Sequence, residues 1–181
     1  NRWTAQVVRQ KFGALRVTRT DALQWASRHG LVSVCHFLKD WGLTMEDVKH
    51  NSCDVLFQAS IDGHVSICQF LKDFGLDIEN DLNVHRGVEQ AITMAAHNGD
   101  LRFCQFFREW GLLANQIPYE AFQAGIRGNH LNVLNFFKDL GVSITLSCYH
   151  RASAFSTAAK NGDIDMFQFL FEWQDPDGLM F

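Results

Sequence analysis

Five stretches of this 181-residue chain align with one another without a gap, and this repetition constrains the fold more than any other feature of the sequence. Successive starts are 33, 36, 30 and 33 residues apart, at Ala22, Val55, Ala91, Ala121 and Ala154. There are only two prolines, Pro118 and Pro176, so almost the whole length is free to form helices. Such a period predicts stacked units, because one unit cannot bury its own apolar face.

Each stretch turns at one residue, which we take as position zero of its repeat. In repeats 1 to 5 these turn residues are Gly30, Gly63, Gly99, Asn129 and Gly162. Asparagine tolerates positive φ best after glycine, so all five predict the same left-handed turn. Position +7 is always phenylalanine: Phe37, Phe70, Phe106, Phe136 and Phe169. Position −4 is always small: Ala26, Ala59, Ala95, Gly125 and Ala158. Position +12 is glycine until repeat 5: Gly42, Gly75, Gly111, Gly141 and then Gln174.

These positions predict two short antiparallel helices in each repeat. The first helix is expected to open at a capping-type residue, such as Asp21, Asp54 or Ser153, and to run about two turns to position zero. The second carries apolar residues at +4, +5, +7, +8 and +11, a stripe of helical period. The glycine at +12 suits a left-handed C-terminal cap. After repeat 1, Thr44 and Asp47 have the spacing that starts a helical turn.

The turn sequences ASIDGH (residues 59–64) and AAHNGD (residues 95–100), with the later F-L/F and glycine, resemble those of ankyrin repeats. The resemblance covers roughly residues 20–173 and implies an all-α, ankyrin-like solenoid of stacked antiparallel helix pairs, with about five repeats plus a partial N-terminal one. Tetratricopeptide repeats are the nearest rival, but they use longer helices and another residue pattern. The family's T-P-L-H opening and its hairpin finger are missing, and a basic residue replaces a leucine of the second helix. The chain therefore resembles a divergent, aromatic-rich type, similar to arrays encoded by large DNA viruses of protists.

We expect one array over residues 1–181. Residues 1–20 are predicted to form a partial repeat and linker, within which residues 1–13 fit a second helix. The five repeats are placed at 21–53, 54–89, 90–118, 119–152 and 153–181. Residues 179–181 are apolar where a terminal repeat needs a polar face, so further repeats of the same chain or a partner are expected to cover one or both ends.

Composition argues against several kinds of partner. Sixteen basic and twenty acidic residues are mixed along the chain, and no basic run offers a face for nucleic acid. No apolar stretch reaches the roughly 20 residues that span a bilayer, so no membrane partner is expected. Five cysteines, an odd number without a CxxC pair, favour reduced thiols. This predicts an intracellular, cytosol-like reducing compartment, with host cytoplasm or a virion as options.

No catalytic motif is present: HExxH, GxSxG, a phosphate-binding loop and paired carboxylates are all missing. We therefore expect no enzyme activity, no cofactor and no metal. Cys35, Cys68 and Cys104 share position +5, where equivalent thiols form a row instead of a tetrahedral site, so they are interpreted as packing residues. Cys53 and Cys148 fall between repeats, each near a histidine. The position +1 histidines, His64 and His130, are given a structural role.

Two rows of side chains are predicted on the second helices. The first is basic–acidic, with Lys39, Lys72, Arg108 and Lys138 at +9, and is expected to form exposed charge ladders between repeats. The second is aromatic or apolar at +11: Trp41, Phe74, Trp110, Leu140 and Trp173. This second row is interpreted as core, with an exposed binding ridge as the alternative.

The resemblance also implies where a protein partner would bind, on the first helices and inter-repeat loops of the concave side. The matching positions are −5, −2 and −1. They give the candidates Trp25, Arg28, His29, Gln58, Ile61, Asp62, Met94, His97, Asn98, Arg127 and Lys160. Trp25, Ile61 and Met94 are favoured because interface cores are enriched in such side chains. The predicted function is a non-enzymatic protein–protein interaction scaffold. The alternative is an architectural subunit of a larger assembly, for example a viral particle or multi-subunit complex.

Overall fold

The computed structural model of the chain describes residues 18–78, 81–142 and 148–173. The helix predicted for residues 1–13, the pattern break at Gln174 and the apolar residues 179–181 lie outside these ranges. Within them all regular structure is helical, as predicted, and comprises ten α-helices and one 3-10 helix, Ala114–Gln116. The α-helices are α1 (Arg19–Arg28), α2 (Val32–Asp40), α3 (Met45–Ile61), α4 (Val65–Phe74), α5 (Leu82–Asn98), α6 (Leu101–Trp110), α7 (Tyr119–Arg127), α8 (Leu131–Asp139), α9 (Cys148–Asn161) and α10 (Ile164–Glu172).

The helices form five pairs, α1–α2 to α9–α10, each joined by the predicted turn. The turn residue is left-handed in every pair, with φ between 58° at Asn129 and 71° at Gly99. The +12 glycines also have positive φ, from 81° at Gly141 to 120° at Gly111, so the predicted helix ends are confirmed. Because side chains other than glycine and asparagine rarely adopt this conformation, these positions fix where each helix stops.

The predicted length of the first helices is wrong in three repeats. Helices α3 and α5 have 17 residues each and α9 has 14, whereas about two turns were expected. The inter-repeat segments are helical: Thr44 caps α3 and forms a reciprocal capping box with Asp47, as its spacing indicated. Asp54 and Ser153 therefore lie inside helices.

The remaining first helices begin at signals that are visible in the sequence. Helix α1 is capped by Thr18. Asp21, which was expected to be the cap, is the third residue of the helix and forms a reciprocal capping box with Thr18. Helix α7 starts after Pro118, has nine residues and is preceded by the 3-10 helix. Proline lacks the backbone N–H and disfavours a helical conformation in the residue before it. The segment before Pro118 therefore cannot continue α7 towards the N-terminus, as the corresponding segment does in α3. In repeat 4 the short first helix thus depends on a proline, whereas α1 is short without one.

Small residues at −4 and apolar residues at +4 and +8 form the core, together with the +5 residues of repeats 1 to 4. All five −4 residues are buried. In repeats 1 to 3 the −4 alanine accompanies a buried cysteine at +5, whereas repeat 4 has Gly125 and the larger Leu134. A Cβ atom at Gly125 would lie 2.9 Å from Cδ2 of Leu134, so the glycine makes room for the leucine.

The chain divides into two compact units. The first comprises residues to Ala91 with Glu109–Gly111, and the second comprises Ile92–Arg108 with residues from Leu112 on, so the division falls inside α5. In the first unit α1 packs against α3, and α2 packs against α4. In the second unit α7 packs against α8 and α9, and α9 against α10. The assignment of residues 1–181 to a single array with five stated boundaries stays a prediction.

Candidate functional site

Trp25 is the largest of the predicted contact residues and lies on the surface of α1. It is 39% exposed, and its ring centroid lies 4.6 Å from that of His29, one turn later on the same helix. Positions −8, −7, −4 and −3 of α1 are buried, at Ala22, Leu23, Ala26 and Ser27, which places the exposed tryptophan on the opposite side of the helix from the packed residues. An indole supported by an imidazole offers a large, preorganised apolar surface to a partner.

Two of the three repeat 2 candidates are less exposed than Trp25. Gln58 and Ile61 are half-buried, and Asp62 at the end of the helix is exposed. The side-chain oxygen of Gln58 is enclosed without a hydrogen-bond partner in the described part of the chain. An enclosed acceptor without a donor costs about 1–3 kcal/mol, so position −5 of repeat 2 is not optimised for stability alone.

A histidine holds the C-terminal end of α1 against the next repeat. Nε2 of His64 lies 3.2 Å from the carbonyl oxygen of Arg28, whose side chain is exposed. The His64 ring also fills the space beside Gly30, where a Cβ atom would lie 2.6 Å from Nδ1. His64 therefore has the predicted structural role, and it fixes the backbone that carries Arg28 and His29.

The second unit repeats this arrangement with other side chains. Nε2 of His130 lies 2.9 Å from the carbonyl oxygen of His97, and its ring occupies the space beside Gly99. Met94, earlier on α5, is half-buried. The other candidates of this unit are exposed: His97, Asn98, Arg127 and Lys160. At His97 the backbone carbonyl is bonded to the next repeat while the side chain remains exposed.

A polar cavity of about 620 Å³, which was not predicted from the sequence, lies at the N-terminal ends of α1 and α3. Two of its charged groups are paired: the guanidinium of Arg19 donates to the carbonyl oxygen of Gly42 at 2.6 Å and lies 3.9 Å from the Asp47 carboxylate. The backbone N–H and hydroxyl of Thr44 lower the pKa of Asp47. The capping residues Thr18 and Thr44 mark the two helix starts beside the cavity, but the start of α3 was predicted too late in the sequence to bring them together. It is lined by Thr18, Arg19, Thr20, Glu46, Asp47, His50 and Asn51.

The +5 thiols are buried, as their interpretation as packing residues requires. Burial raises the pKa of Cys35 and of Cys104 to about 12 and also raises the pKa of Cys68. A thiol with such a pKa is protonated at neutral pH and is a poor nucleophile. Half-buried Cys53 donates from Sγ to Oε1 of Gln90 at 3.2 Å, and the side chain of Cys148 lies outside the described residues. Among the residues that the structure describes, no three His, Cys, Asp or Glu side chains are grouped to hold a metal ion.

Three lysines at +9 contact rings or a carbonyl group of the next repeat, while the predicted charge ladders stay a prediction. Nζ of Lys39 lies 5.4 Å from the centre of the Phe74 ring, and Nζ of Lys138 lies 5.5 Å from that of Phe169. Nζ of Lys72 donates to the carbonyl oxygen of Glu109 at 3.2 Å. These lysines therefore bridge to rings and to a carbonyl where a ladder with acidic side chains was expected.

The assignment of the +11 row to the core is wrong for Trp41, which is 49% exposed. The other members, Phe74, Trp110, Leu140 and Trp173, are half-buried. In two repeats the +11 side chain contacts a group of the preceding repeat: Nζ of Lys39 lies over Phe74, and the Phe122 ring lies 5.2 Å from Trp173. Trp41 belongs to the first repeat that the structure describes, so no preceding described repeat covers it.

Comparison with known proteins agrees with this architecture. Residues 56–108, from the second half of α3 to near the end of α6, match the family model of ankyrin repeats (many copies). No curated protein and no solved structure matches the chain. Together, the helix pairs and this match identify an ankyrin-like helical solenoid. Ankyrin repeats generally mediate protein–protein interaction and are typically non-enzymatic. In the described ranges, no helix combines the length and apolar character needed to cross a membrane.

Proposed function

We propose that this chain is a non-enzymatic scaffold that binds a protein partner through the −5, −2 and −1 positions of its first helices. The observation that carries the proposal is Trp25, a large aromatic side chain that stays 39% exposed on a helix whose other face is fully packed. Tryptophan is enriched among the residues that dominate binding energy at interfaces. The contact set is Trp25, Arg28, His29, Gln58, Ile61, Asp62, Met94, His97, Asn98, Arg127 and Lys160.

The ends of two of these first helices are tied to the next repeat by histidine side chains, which supports the proposal. His64 holds the end of α1 through Arg28, and His130 holds the end of α5 through His97. A preorganised surface loses little conformational entropy when a partner binds, so more of the contact energy appears as affinity. The buried, protonated thiols support recognition over catalysis.

The experiment is a quantitative pull-down from an extract of the source organism, with the wild-type chain and three variants. In Trp25→Ala and Met94→Asp, at least one reproducible partner should fall by about 10-fold or more, as expected when an interface hot spot is lost. Trp41→Ala is the matched control, because Trp41 is similarly exposed but lies at the end of α2. Retention of every partner by both test variants, or equal loss in the control, would contradict the proposal.

An architectural role in a larger assembly is the second candidate. The observation that favours it is the outer surface of the last described helix, where Ile164, Phe167 and Phe171 are exposed. This role predicts that substitutions at the end of the array, and not at Trp25, abolish binding of the partner.

We further propose that the chain resides in a reducing compartment, which the free thiols of Cys35, Cys53, Cys68 and Cys104 support. We also propose kinship with viral arrays, which rests on the sequence resemblance alone.

A further inference from the structure

The first helices of the second unit end in a row of basic side chains, which we call the basic row. It occupies position −2 of repeats 3, 4 and 5, at His97, Arg127 and Lys160, and all three side chains are exposed. The carbonyl oxygen of His97 lies 2.9 Å from Nε2 of His130 and would lie 2.6 Å from a Cβ atom at Gly128, the residue after Arg127. Helix α7 in turn packs against α9, which carries Lys160. The row therefore runs across three consecutive first helices.

No acidic side chain of the described residues forms an ion pair with the basic row. The acidic residues that follow it most closely in sequence are Asp100 and Asp163. Oδ1 of Asp100 accepts from the backbone N–H of Phe103 at 3.2 Å, and Oδ1 of Asp163 accepts from that of Met166 at 2.9 Å. Both carboxylates are thus engaged at the starts of α6 and α10, and they leave the charge of the row without a partner in this part of the chain.

The charge of the basic row is opposite to that of the whole chain, whose formal net charge is −4. Twenty Asp and Glu residues occur in the chain, yet none occupies a −5, −2 or −1 position of repeats 3 to 5. In the first unit the same positions include Asp62. A local excess of one charge, kept against the sign of the net charge, favours a ligand of the opposite sign.

The basic row lies at the turn ends of the helix pairs. The chain leaves the described ranges after residues 142 and 173, beyond the opposite ends of the second helices α8 and α10. These helices have nine residues each, so those points are separated from the turn ends by roughly 13 Å at about 1.5 Å per residue. The exposure of the row therefore depends on helices and turns that the structure describes.

We infer that the basic row binds an acidic, extended segment of a protein partner. The inference rests on the function proposed above, because the row belongs to the same contact set. Packed helices lie about 8–10 Å apart, and an extended chain advances about 3.3 Å per residue. Carboxylates about three residues apart in the partner therefore match successive cations of the row. A nucleic-acid backbone fits less well, because an arginine, a lysine and a histidine supply much less charge than a phosphate-binding face requires.

Fluorescence polarisation of a labelled synthetic peptide tests the inference with the full chain. The acidic probe has glutamate at every third position and serine elsewhere, over about twelve residues that span the row. The matched neutral probe has glutamine in place of glutamate and carries the same label. At an ionic strength of about 0.05 M, the wild-type chain should bind the acidic probe about 10-fold more tightly than the neutral probe. At about 0.5 M most of this difference should disappear, because the Debye length falls from about 14 Å to about 4 Å.

Charge reversal in the chain locates the contact. Arg127→Glu and Lys160→Glu should each weaken binding of the acidic probe by about 5-fold or more, because each replaces an attraction by a repulsion. Arg108→Glu is the matched control: it makes the same change in net charge on an exposed side chain, but near the C-terminal end of α6. The control should change the affinity by about 2-fold or less. Thermal melts of the three variants should resemble that of the wild type, because the replaced side chains are exposed.

Equal affinity for the acidic and neutral probes would overturn the inference, and so would an equal loss of affinity in Arg108→Glu and the two row variants. Melting points that fall in the row variants while the affinity stays unchanged would show that the row serves only the helix ends. Tighter binding of a thymidine strand of equal length would identify a phosphate backbone as the ligand instead. None of these results bears on the scaffold itself, which the Trp25 and Met94 variants test separately in the pull-down.

Discussion

Replacing Gly125 by alanine and Leu134 by cysteine, singly and together, gives repeat 4 the packing combination of repeats 1 to 3. In those repeats an alanine at −4 faces a buried cysteine at +5. In repeat 4 the three atoms nearest to a Cβ at position 125 all belong to Leu134, at 2.9 Å, 3.3 Å and 3.9 Å. If the repeats are equivalent, the two substitutions should compensate each other.

The expected magnitudes follow from opposing effects. Alanine in place of glycine stabilises a helix interior by about 1 kcal/mol, but forcing a methyl group against a buried side chain costs about 1–3 kcal/mol. Gly125→Ala alone should therefore be neutral or destabilise by up to about 2 kcal/mol. Leu134→Cys leaves a cavity and should cost about 2 kcal/mol, since leucine-to-alanine changes cost about 2–5 kcal/mol. The double variant should recover about 1–2 kcal/mol relative to Leu134→Cys, because the methyl group fills that cavity.

Urea denaturation of the wild type, both single variants and the double variant gives the coupling free energy directly. Leu170→Cys, combined with Gly125→Ala, is the control pair, because no atom of Leu170 is among those nearest to the added methyl group. That pair should be additive within about 0.5 kcal/mol. Additivity of the Gly125 and Leu134 substitutions would refute the reasoning, since it would mean that the two positions do not share one packing site.

Three further predictions concern helix contacts and titration. Gly87→Ala should destabilise the chain by about 1–2 kcal/mol although alanine favours a helix, because the added Cβ atom would lie 2.8 Å from a backbone atom of α3. Asn83 is exposed on the same helix, so Asn83→Ala is the control and should slightly raise the midpoint of a thermal melt. His130→Ala should lower the unfolding free energy by about 1–2 kcal/mol, because the hydrogen bond to the carbonyl oxygen of His97 is lost. His97→Ala keeps that carbonyl and should change the unfolding free energy by less than about 0.5 kcal/mol. Equal effects of the two substitutions would contradict this role of His130. The unfolding free energy should fall as the pH rises from about 9 to about 12, because burial raises the pKa of Cys35 and Cys104 and their thiols therefore lose protons in the unfolded chain first. In a Cys35→Ala variant the unfolding free energy should fall less steeply with pH. An unchanged dependence on pH in that variant would argue against this cause.

The sequence predicted the local features that depend on backbone conformation. The five turn residues, including Asn129, and the +12 glycines are left-handed because few other residues tolerate positive φ, so their identity determines the conformation. The capping pair Thr44 and Asp47 also worked as a signal, since its hydrogen bonds are formed within four residues.

Features that depend on neighbouring repeats were harder to predict. Asp54 and Ser153 have the side chains of helix caps, but each lies inside a helix that begins one inter-repeat segment earlier. A capping residue tells where a helix can start and not whether the preceding residues are already helical. The exposure of Trp41 likewise depends on what precedes repeat 1, whereas the same position in repeat 2 is covered by Lys39.

The candidate site was predicted only as positions. Periodicity separates the first-helix residues that pack from those that do not, and this led to Trp25 and the other candidates. It does not reveal the stacking of His29 on Trp25, the enclosed oxygen of Gln58 or the polar cavity beside Arg19. These features depend on side-chain geometry across two helices, which a single period does not encode.

A crystal structure of the chain tests the central claim most directly, namely that five helix pairs of one kind pack through equivalent positions. Superposition of the five pairs should bring the +7 phenylalanines onto one another, with the +5 residues of repeats 1 to 4 buried in the same layer and Phe167 on the surface of its pair. Phenylalanine rings in unrelated environments, or a buried Phe167 beside an exposed Cys35, would contradict the account.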